Sequence, residues 1–481
     1  MTYFGVFFLL LLNLLVFYQT YTFFPPIWPD EVLFYSPAQS LINGEGLATK
    51  VLSGLIEGMD HSTLWMPPSF FLYTGFFLKL FGFSLLSARL GSFFAGLLCI
   101  FPLLGIGKKF GLKQSSLFFL ASLLFTDILY FKISSTARME SLCLFYCLIG
   151  LYLLLTEILT WKKYLFSGFF LGLGFITHPF AVVFIPIALI FSYYKGSIRI
   201  VHLLFMGIGG ILPLLGWATY ILPNTNLFFL QFGAQLGRKK DLLFSVFTII
   251  TKIKIILSGF KYPTYKLIIL ILSTFGVVSL LNNKLSTRIN KVILVNVFSI
   301  VVLLFFLFLS SESWYVFYLI PFICILNTII FEFGNIYLKL IALSTIIYNI
   351  VILFIFLINN FYINDTANLQ EKYFIEIYNK CQDKKKVYLQ AIPDPYFYLI
   401  QKNKYLEIRE FIPGELPLPE DFSKNELLSQ DIYIFYNEDL IHPTLKKYFK
   451  DNVELFERSE INIHSESKIE LTFFAIVYMK K

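Results

Sequence analysis

Two adjacent carboxylates, Asp30 and Glu31, stand in "PPIWPDEVLFY" (25–35), where a first run of more than twenty mostly apolar residues ends. A carboxylate held at a membrane surface can take the proton of an attacking hydroxyl. Its complement is a cation or metal that steadies a departing phosphate. Candidates for that part are Lys132 and Arg138 in "KISSTARMES", with Glu140 beside them, His178 in "THP", and Arg238, Lys239 and Lys240 in "GRKK". His61 and His178 are each able to give one ligand to a divalent metal. Every one of these has a plainer alternative. Asp30 and Glu31 suit a helix cap after Pro29, Arg138 and Glu140 suit an interfacial anchor, His178 a hinge before Pro179, and His61 an ordinary loop. The basic triplet suits lipid headgroups. Asp127 lies inside an apolar run, where an acid is costly, and pairing with Lys132 or Arg138 is its simplest account.

The elements that position these residues follow from composition. Of 481 residues 57% are hydrophobic and 57 are Phe, more than a water-soluble core of this size requires. Runs such as "LIALSTIIYNIVILFIFLI" reach the ~20 apolar residues that cross a ~30 Å hydrocarbon layer, so an integral membrane protein is expected. The first run lacks a basic leader and a small-residue cleavage site, and reads as a retained span. Cys99, Cys143, Cys147, Cys324 and Cys381 have neither disulfide nor metal spacing and read as packing residues.

Charge changes near residue 360: residues 1–360 carry 23 Lys+Arg against 11 Asp+Glu, and 361–481 carry 16 against 20 with no spanning run. The expected division is therefore a membrane domain, 1–360, and a small soluble α/β domain, 361–481. In the latter "KKKVYLQAI", "DIYIFYNED" and "IELTFFAIVYM" read as strands and "LQEKYFIEIYNK" as a helix. No Gly-rich phosphate loop is present, and no nucleic acid is expected among the partners.

Placing the basic loops 107–113, 160–163, 194–199 and 282–291 on the cytoplasmic side gives eleven spans, near 3–24, 86–106, 115–131, 141–158, 164–177, 179–194, 200–222, 264–281, 292–310, 314–331 and 338–359. The stretch 67–82 is left on the membrane surface, because a full span there would turn the later basic loops outward. Eight of the eleven acids before residue 360 then lie outside, as do 25–85, 132–141, 177–179, 223–263, 310–314 and the tail. Chemistry on that face has no ready pool of nucleotide sugars, so an activated group must arrive in the lipid. A polyprenyl-phosphate sugar meets that need.

The same segments resemble, in order, the GT-C superfamily of integral-membrane glycosyltransferases, specifically the protein-mannosyltransferase-like group (glycosyltransferase family 39-like) that includes lipid A aminoarabinose transferases. The matching features are an Asp-Glu pair after the first span, "WPDEVLFYSPAQSLINGEG", and a Pro-Pro stretch running into "FGFSLLSARLGS". An Ala-Arg-x-acidic turn, "STARMESLCLFY", and a Gly-rich span ending at a basic-Pro corner, "GFFLGLGFITHPF", complete the order. The resemblance covers the layout of roughly residues 1–330. It implies that Asp30 is the catalytic base with Glu31 beside it, that Arg138 and Glu140 shape the donor pocket, and that helices lie along the surface in the first outer loop. Glu140 stands where members often have Asp, His178 where they often have Lys, and Trp65-Met66 where the aminoarabinose branch has an acidic-Lys pair.

The expected fold is a polytopic all-α membrane protein with a small C-terminal α/β domain. The expected function is transfer of a sugar from a polyprenyl-phosphate donor to a glycolipid, glycan or protein hydroxyl on the outer face: undecaprenyl phosphate and the periplasm in a bacterial inner membrane, which is the expected location, or dolichol and the lumen in a eukaryotic source. A divalent metal is an open expectation. The alternatives are a transporter or flippase of lipid-linked sugars, which favours ionisable groups near the midplane, and an outer-face glycan polymerase or ligase.

Overall fold

The structure is a computed structural model that describes residues 2–156, 160–195, 199–237, 254, 287–310, 312–363, 365–411, 422–465 and 471–481. The basic triplet Arg238, Lys239 and Lys240 and the expected span 264–281 lie outside the described residues.

The other ten expected spans each coincide with a helix or a bent pair of helices. Helix α1 is Thr2–Thr20. After the first loop, α4 (Leu85–Leu98) and α5 (Ile100–Phe110) form one apolar stretch of 26 residues. Helix α6 (Gln114–Phe125) bends by 63° into α7 (Ile128–Ser134). Asp127 makes that bend: its Oδ1 accepts the Leu129 and Tyr130 N–H groups, each at 2.9 Å, and so caps α7. The cap is one interaction that holds this acid at the bend. Helices α8 (Glu140–Leu154), α9 (Trp161–Phe175), α10 (Phe184–Lys195) and α11 (Ile200–Ile221) follow, then Thr287–Ser310, the 3-10 turn Ser313–Leu319 running into Ile320–Phe333, and Ile336–Ile358. Five described stretches are long and apolar enough to cross a bilayer, or six if the bent pair is one span. Helices α1, α8, α9 and α10 are shorter.

Glycine sets the closest crossing. A Cβ at Gly168 of α9 would collide with the Met206 carbonyl of α11, and one at Gly209 with the Leu165 carbonyl. Backbones that meet this closely leave room only for hydrogen.

The first loop contributes α2 (Pro29–Ile42) and α3 (Ser69–Phe81). At 13 residues α3 is about 20 Å long, too short to cross. It packs between α2 and α4, with Phe70, Phe71 and Phe77 buried and Leu72, Phe76 and Leu80 exposed.

Past Ile358 the chain leaves the helices through Asn359–Ile363 and forms helix Thr366–Cys381 and a five-stranded sheet. The strands are β1 (Lys386–Gln390), β2 (Glu407–Glu410), β3 (Ile432–Phe435), β4 (Phe456–His464) and β5 (Thr472–Lys480), in the order β2-β1-β3-β5-β4. β1 is parallel to β2 and β3, while β5 is antiparallel to β3 and β4. Burial explains which strands are legible: β1 and β3 are buried almost throughout and read as apolar runs, whereas β4, with Glu457, Arg458, Ser459 and Glu460, is an edge strand whose polar residues hide it.

Candidate active site

The start of α2 is fixed by local chemistry. Pro29 occupies the first helical position, and Glu31 Oε1 accepts the Trp28 N–H at 3.0 Å in a capping box. This puts Asp30 and Glu31 in the first turn and aims them in different directions.

Glu31 points inward and is fully buried. Arg89 of α4, equally buried, meets it as a fork: Nε donates to Oε2 at 2.8 Å and Nη2 to Oε1 at 2.6 Å. Arg89 Nη1 also donates to the Tyr21 carbonyl at 2.7 Å, so one guanidinium ties the end of α1 to α2 and α4. The Ala137 N–H donates to Glu31 Oε2 at 2.8 Å.

Asp30 keeps a side chain about 30% exposed and is ion-paired through Oδ2 with Arg138 Nη1. Successive residues of α2 therefore hold successive residues of the 135–139 turn. Arg138 is gripped from its other side by Glu140 Oε1, which accepts Nε at 3.0 Å and Nη2 at 2.9 Å. Its backbone is pinned by Ser92 of α4, whose hydroxyl donates to the Arg138 carbonyl at 2.8 Å and accepts its N–H at 3.1 Å. Burial opposes the guanidinium's charge, but Glu140 and Asp30 outweigh it and hold Arg138 above the ordinary arginine range. Glu140 Oε2 is buried with no hydrogen-bond partner among the described residues.

Aromatic side chains cover this cluster. Trp314 lies 5.1 Å from the Arg138 guanidinium carbon and 5.1 Å from Lys132 Nζ, Phe34 lies 5.7 Å from the same guanidinium, and Trp28 meets Trp314 edge-on at 6.3 Å. These distances are within cation–π range.

His178 is buried and caps the 3-10 turn Pro179–Val183: Nδ1 accepts the Phe180 N–H at 3.3 Å, and Nε2 meets the Tyr315 hydroxyl at 3.1 Å. In the neutral tautomer these contacts imply, both ring nitrogens are engaged. His61 is exposed on the first loop and meets Asp60 at 3.0 Å. Among the described residues no three His, Cys, Asp or Glu side chains form a group able to hold a metal ion. Of the two histidines expected to be able to give a metal ligand, His178 is engaged in the cap of the 3-10 turn and with Tyr315, and His61 meets Asp60.

The structure thus brings Asp30, Lys132, Arg138 and Glu140 together, sets His178 beside Glu140's charge, and leaves His61 apart. Glu31, expected beside Asp30 at the catalytic position, has its oxygens taken by Arg89, Ala137 and Trp28 and is fully buried. Arg89, Trp314 and Tyr315 were not singled out from sequence. The "ARL" after "FGFSLLS" was the only signal for Arg89, and "SSESW" carries Trp314 at a helix end with nothing to mark its partner. Trp65, at a position of departure from the aminoarabinose branch, is buried and stacks on Phe34 at 5.9 Å.

A family model described as dolichyl-phosphate-mannose-protein mannosyltransferase matches residues 66–218, the stretch that holds Arg89, Lys132, Arg138, Glu140 and His178. No curated protein matches the chain in sequence. Among solved structures, ArnT from Cupriavidus metallidurans bound to undecaprenyl phosphate aligns over 98% of this chain and 97% of its own, with TM-score 0.56 and 12% identity. Archaeal oligosaccharyltransferase AglB from Archaeoglobus fulgidus, in complex with an inhibitory peptide and a dolichol-phosphate, aligns over 89% of this chain and 69% of its own, with TM-score 0.49 and 9% identity. The chain thus shares its fold from end to end with ArnT, an integral-membrane protein bound there to undecaprenyl phosphate, and carries within residues 66–218 a stretch similar to the mannosyltransferase family.

Proposed function

We propose that this protein transfers a sugar from a polyprenyl-phosphate donor to an acceptor hydroxyl, with Asp30 as general base. The observation that carries the assignment is the asymmetry of the acid cluster: Glu31 and Glu140 are fully buried and Asp30 is the member that reaches solvent. The matched mannosyltransferase family and the undecaprenyl phosphate in the ArnT structure supply the donor class.

In this reading the acceptor O–H gives its proton to the free oxygen of Asp30 as the acceptor oxygen bonds to the anomeric carbon. The bond from that carbon to the phosphate oxygen breaks, and the electron pair leaves with the polyprenyl phosphate. Arg138 and Lys132 sit where they can balance its charge. Arg138 also orients Asp30, and Glu140 keeps the guanidinium in place. Glu31 with Arg89 positions the whole first turn of α2. The site and the α/β domain lie on the periplasmic side of a bacterial inner membrane, and the acceptor is a glycolipid, glycan or protein.

The test is transfer by the purified protein from a panel of radiolabelled polyprenyl-phosphate sugars. Asp30→Asn is expected to lower kcat by about 10²- to 10⁴-fold, the range of a lost general base, with donor binding retained. Equal transfer by the variant would overturn the assignment of the base, and no transfer by the wild type from any donor would overturn the proposed reaction.

A further inference from the structure

The first loop is tied down by a helix far along the chain. Helix α12 (Thr225–Gly237) carries Gln231, which is only 2% exposed. Its amide meets three backbone groups of one short segment: Nε2 donates to the Glu57 and Ser62 carbonyls, each at 3.0 Å, and Oε1 accepts the Leu64 N–H at 2.8 Å. Both ends of the amide are thus engaged. Leu227, one turn earlier on α12, packs on Gly58, where a Cβ would come within 2.5 Å of it. The segment is also stitched to the start of its own loop. The Thr49 N–H donates to the Met59 carbonyl at 2.7 Å, the Thr63 N–H to the Leu47 carbonyl at 2.6 Å, and the Thr49 and Thr63 hydroxyls meet at 2.7 Å.

What this clamp presents is Trp65. The next anchored residue is Ser69, whose N–H donates to the Ile176 carbonyl at 3.2 Å and whose hydroxyl meets that of Thr177 at 3.0 Å. Between the two anchors lie only Trp65, Met66, Pro67 and Pro68, and each proline fixes its own φ. The Trp65 indole N–H is buried with no acceptor among the described residues. No hydrogen bond of its own orients the ring, so its place follows from the backbone held on either side. There it stacks on Phe34 of α2, centroids 5.9 Å apart and planes 16° apart, while Phe70 of α3 meets Phe34 edge-on at 6.1 Å. Phe34 in turn lies 5.7 Å from the Arg138 guanidinium carbon. Side chains packed this closely pass a displacement on, because a dense interior has no slack to absorb it.

We propose that Gln231 is a positioning residue for the transfer site: its clamp on residues 57–64 sets Trp65 against Phe34, and that stack fixes the Arg138 guanidinium that orients Asp30. This gives α12 a role in the transfer reaction and rests on that reading only for its effect on rate.

A residue that merely stabilises the fold and one that acts through Arg138 behave differently in combination. Losses at independent sites multiply in the rate. A loss transmitted through Arg138 adds little once Arg138 has itself been altered.

The test uses the full chain in detergent and compares wild type with Gln231→Leu, Trp65→Leu, Trp65→Phe and Arg138→Lys. Hydrogen exchange read by mass spectrometry is expected to quicken over residues 57–66 in Gln231→Leu, with α4 and α8 exchanging as in the wild type. Transfer is measured with radiolabelled polyprenyl-phosphate sugars below the melting midpoint of every variant. Gln231→Leu and Trp65→Leu are each expected to lower kcat by about 10- to 100-fold, the scale of a misplacement of about 1 Å, and to change KM for the donor less. Trp65→Phe keeps a ring against Phe34 and is expected to recover most of that loss. In the Arg138→Lys background, Gln231→Leu is expected to lower kcat by less than about threefold further. Unchanged exchange over 57–66 in Gln231→Leu would overturn the clamp. Equal kcat losses in Trp65→Phe and Trp65→Leu, or losses of Gln231→Leu and Arg138→Lys that multiply in the double variant, would overturn the positioning role. Absence of all transfer by the wild type would instead overturn the proposed reaction, since the exchange readout does not depend on it.

Discussion

Replacing Glu31 by Gln separates a positioning acid from a catalytic one. Glu31 accepts four hydrogen bonds: from Arg89 Nε at 2.8 Å, Arg89 Nη2 at 2.6 Å, the Ala137 N–H at 2.8 Å and the Trp28 N–H at 3.0 Å. Gln keeps the volume but sets an NH₂ group against donors and leaves the Arg89 charge buried without its partner. Breaking a buried ion pair from one side costs about 3–5 kcal/mol, mostly the cost of the stranded charge. The expected result is a large fall in the thermal midpoint of the purified protein, with Asp30→Asn close to wild type because Asp30 is partly solvated. Pairing Glu31→Gln with Arg89→Met removes both charges, and the double variant is expected to lose less than the sum of the singles. Transfer by Glu31→Gln, measured below its midpoint, is expected to fall less than by Asp30→Asn. If Glu31→Gln melted like the wild type while losing transfer as severely as Asp30→Asn, the division of labour argued here would be wrong and Glu31 would be the base.

Trp314→Ala removes the ring that covers both Lys132 and Arg138. At about 0.5–2 kcal/mol per cation–π contact, its expected effect is a several-fold rise in KM for the lipid-linked donor, read from saturation curves. Gly209→Val drives a side chain into the Leu165 carbonyl; a cost of about 1–3 kcal/mol for overpacking is expected, and the same substitution at Gly207, which has open space, is expected to leave the melting midpoint near that of the wild type.

Sequence periodicity made the helices legible because lipid imposes a length and an apolarity that composition reports directly. The α/β domain was half legible for the same reason: β1 and β3 are continuous apolar runs, whereas edge strands β2 and β4 carry Glu, Arg and Ser and look like loop. Within the site, Asp30, Arg138 and Glu140 were found because each interrupts an apolar pattern at a helix end. Arg89 was passed over although it interrupts one too. Its partner lies 58 positions away, and only folding reveals that the charge is spent inside rather than offered to a ligand. Trp314 carries no charge to interrupt anything, so its place over two cations is a tertiary fact.

The two ion pairs made by the first turn of α2 use the same chemistry at different depths. Arg89–Glu31 is sealed from water and joins α1, α2, α4 and the 135–139 turn, so its strength goes into fixing geometry. Arg138–Asp30 lies beside it, one residue earlier on α2 and one residue after Ala137 on the turn, and opens to solvent on the Asp30 side. Exchange of either guanidinium for Lys would remove the planar fork that lets one side chain serve two partners. Arg138→Lys keeps the positive charge but cannot grip Glu140 and Asp30 together. That variant is expected to remain folded, because Arg89–Glu31 is untouched, while the now loosely held Asp30 lowers kcat more than it raises KM.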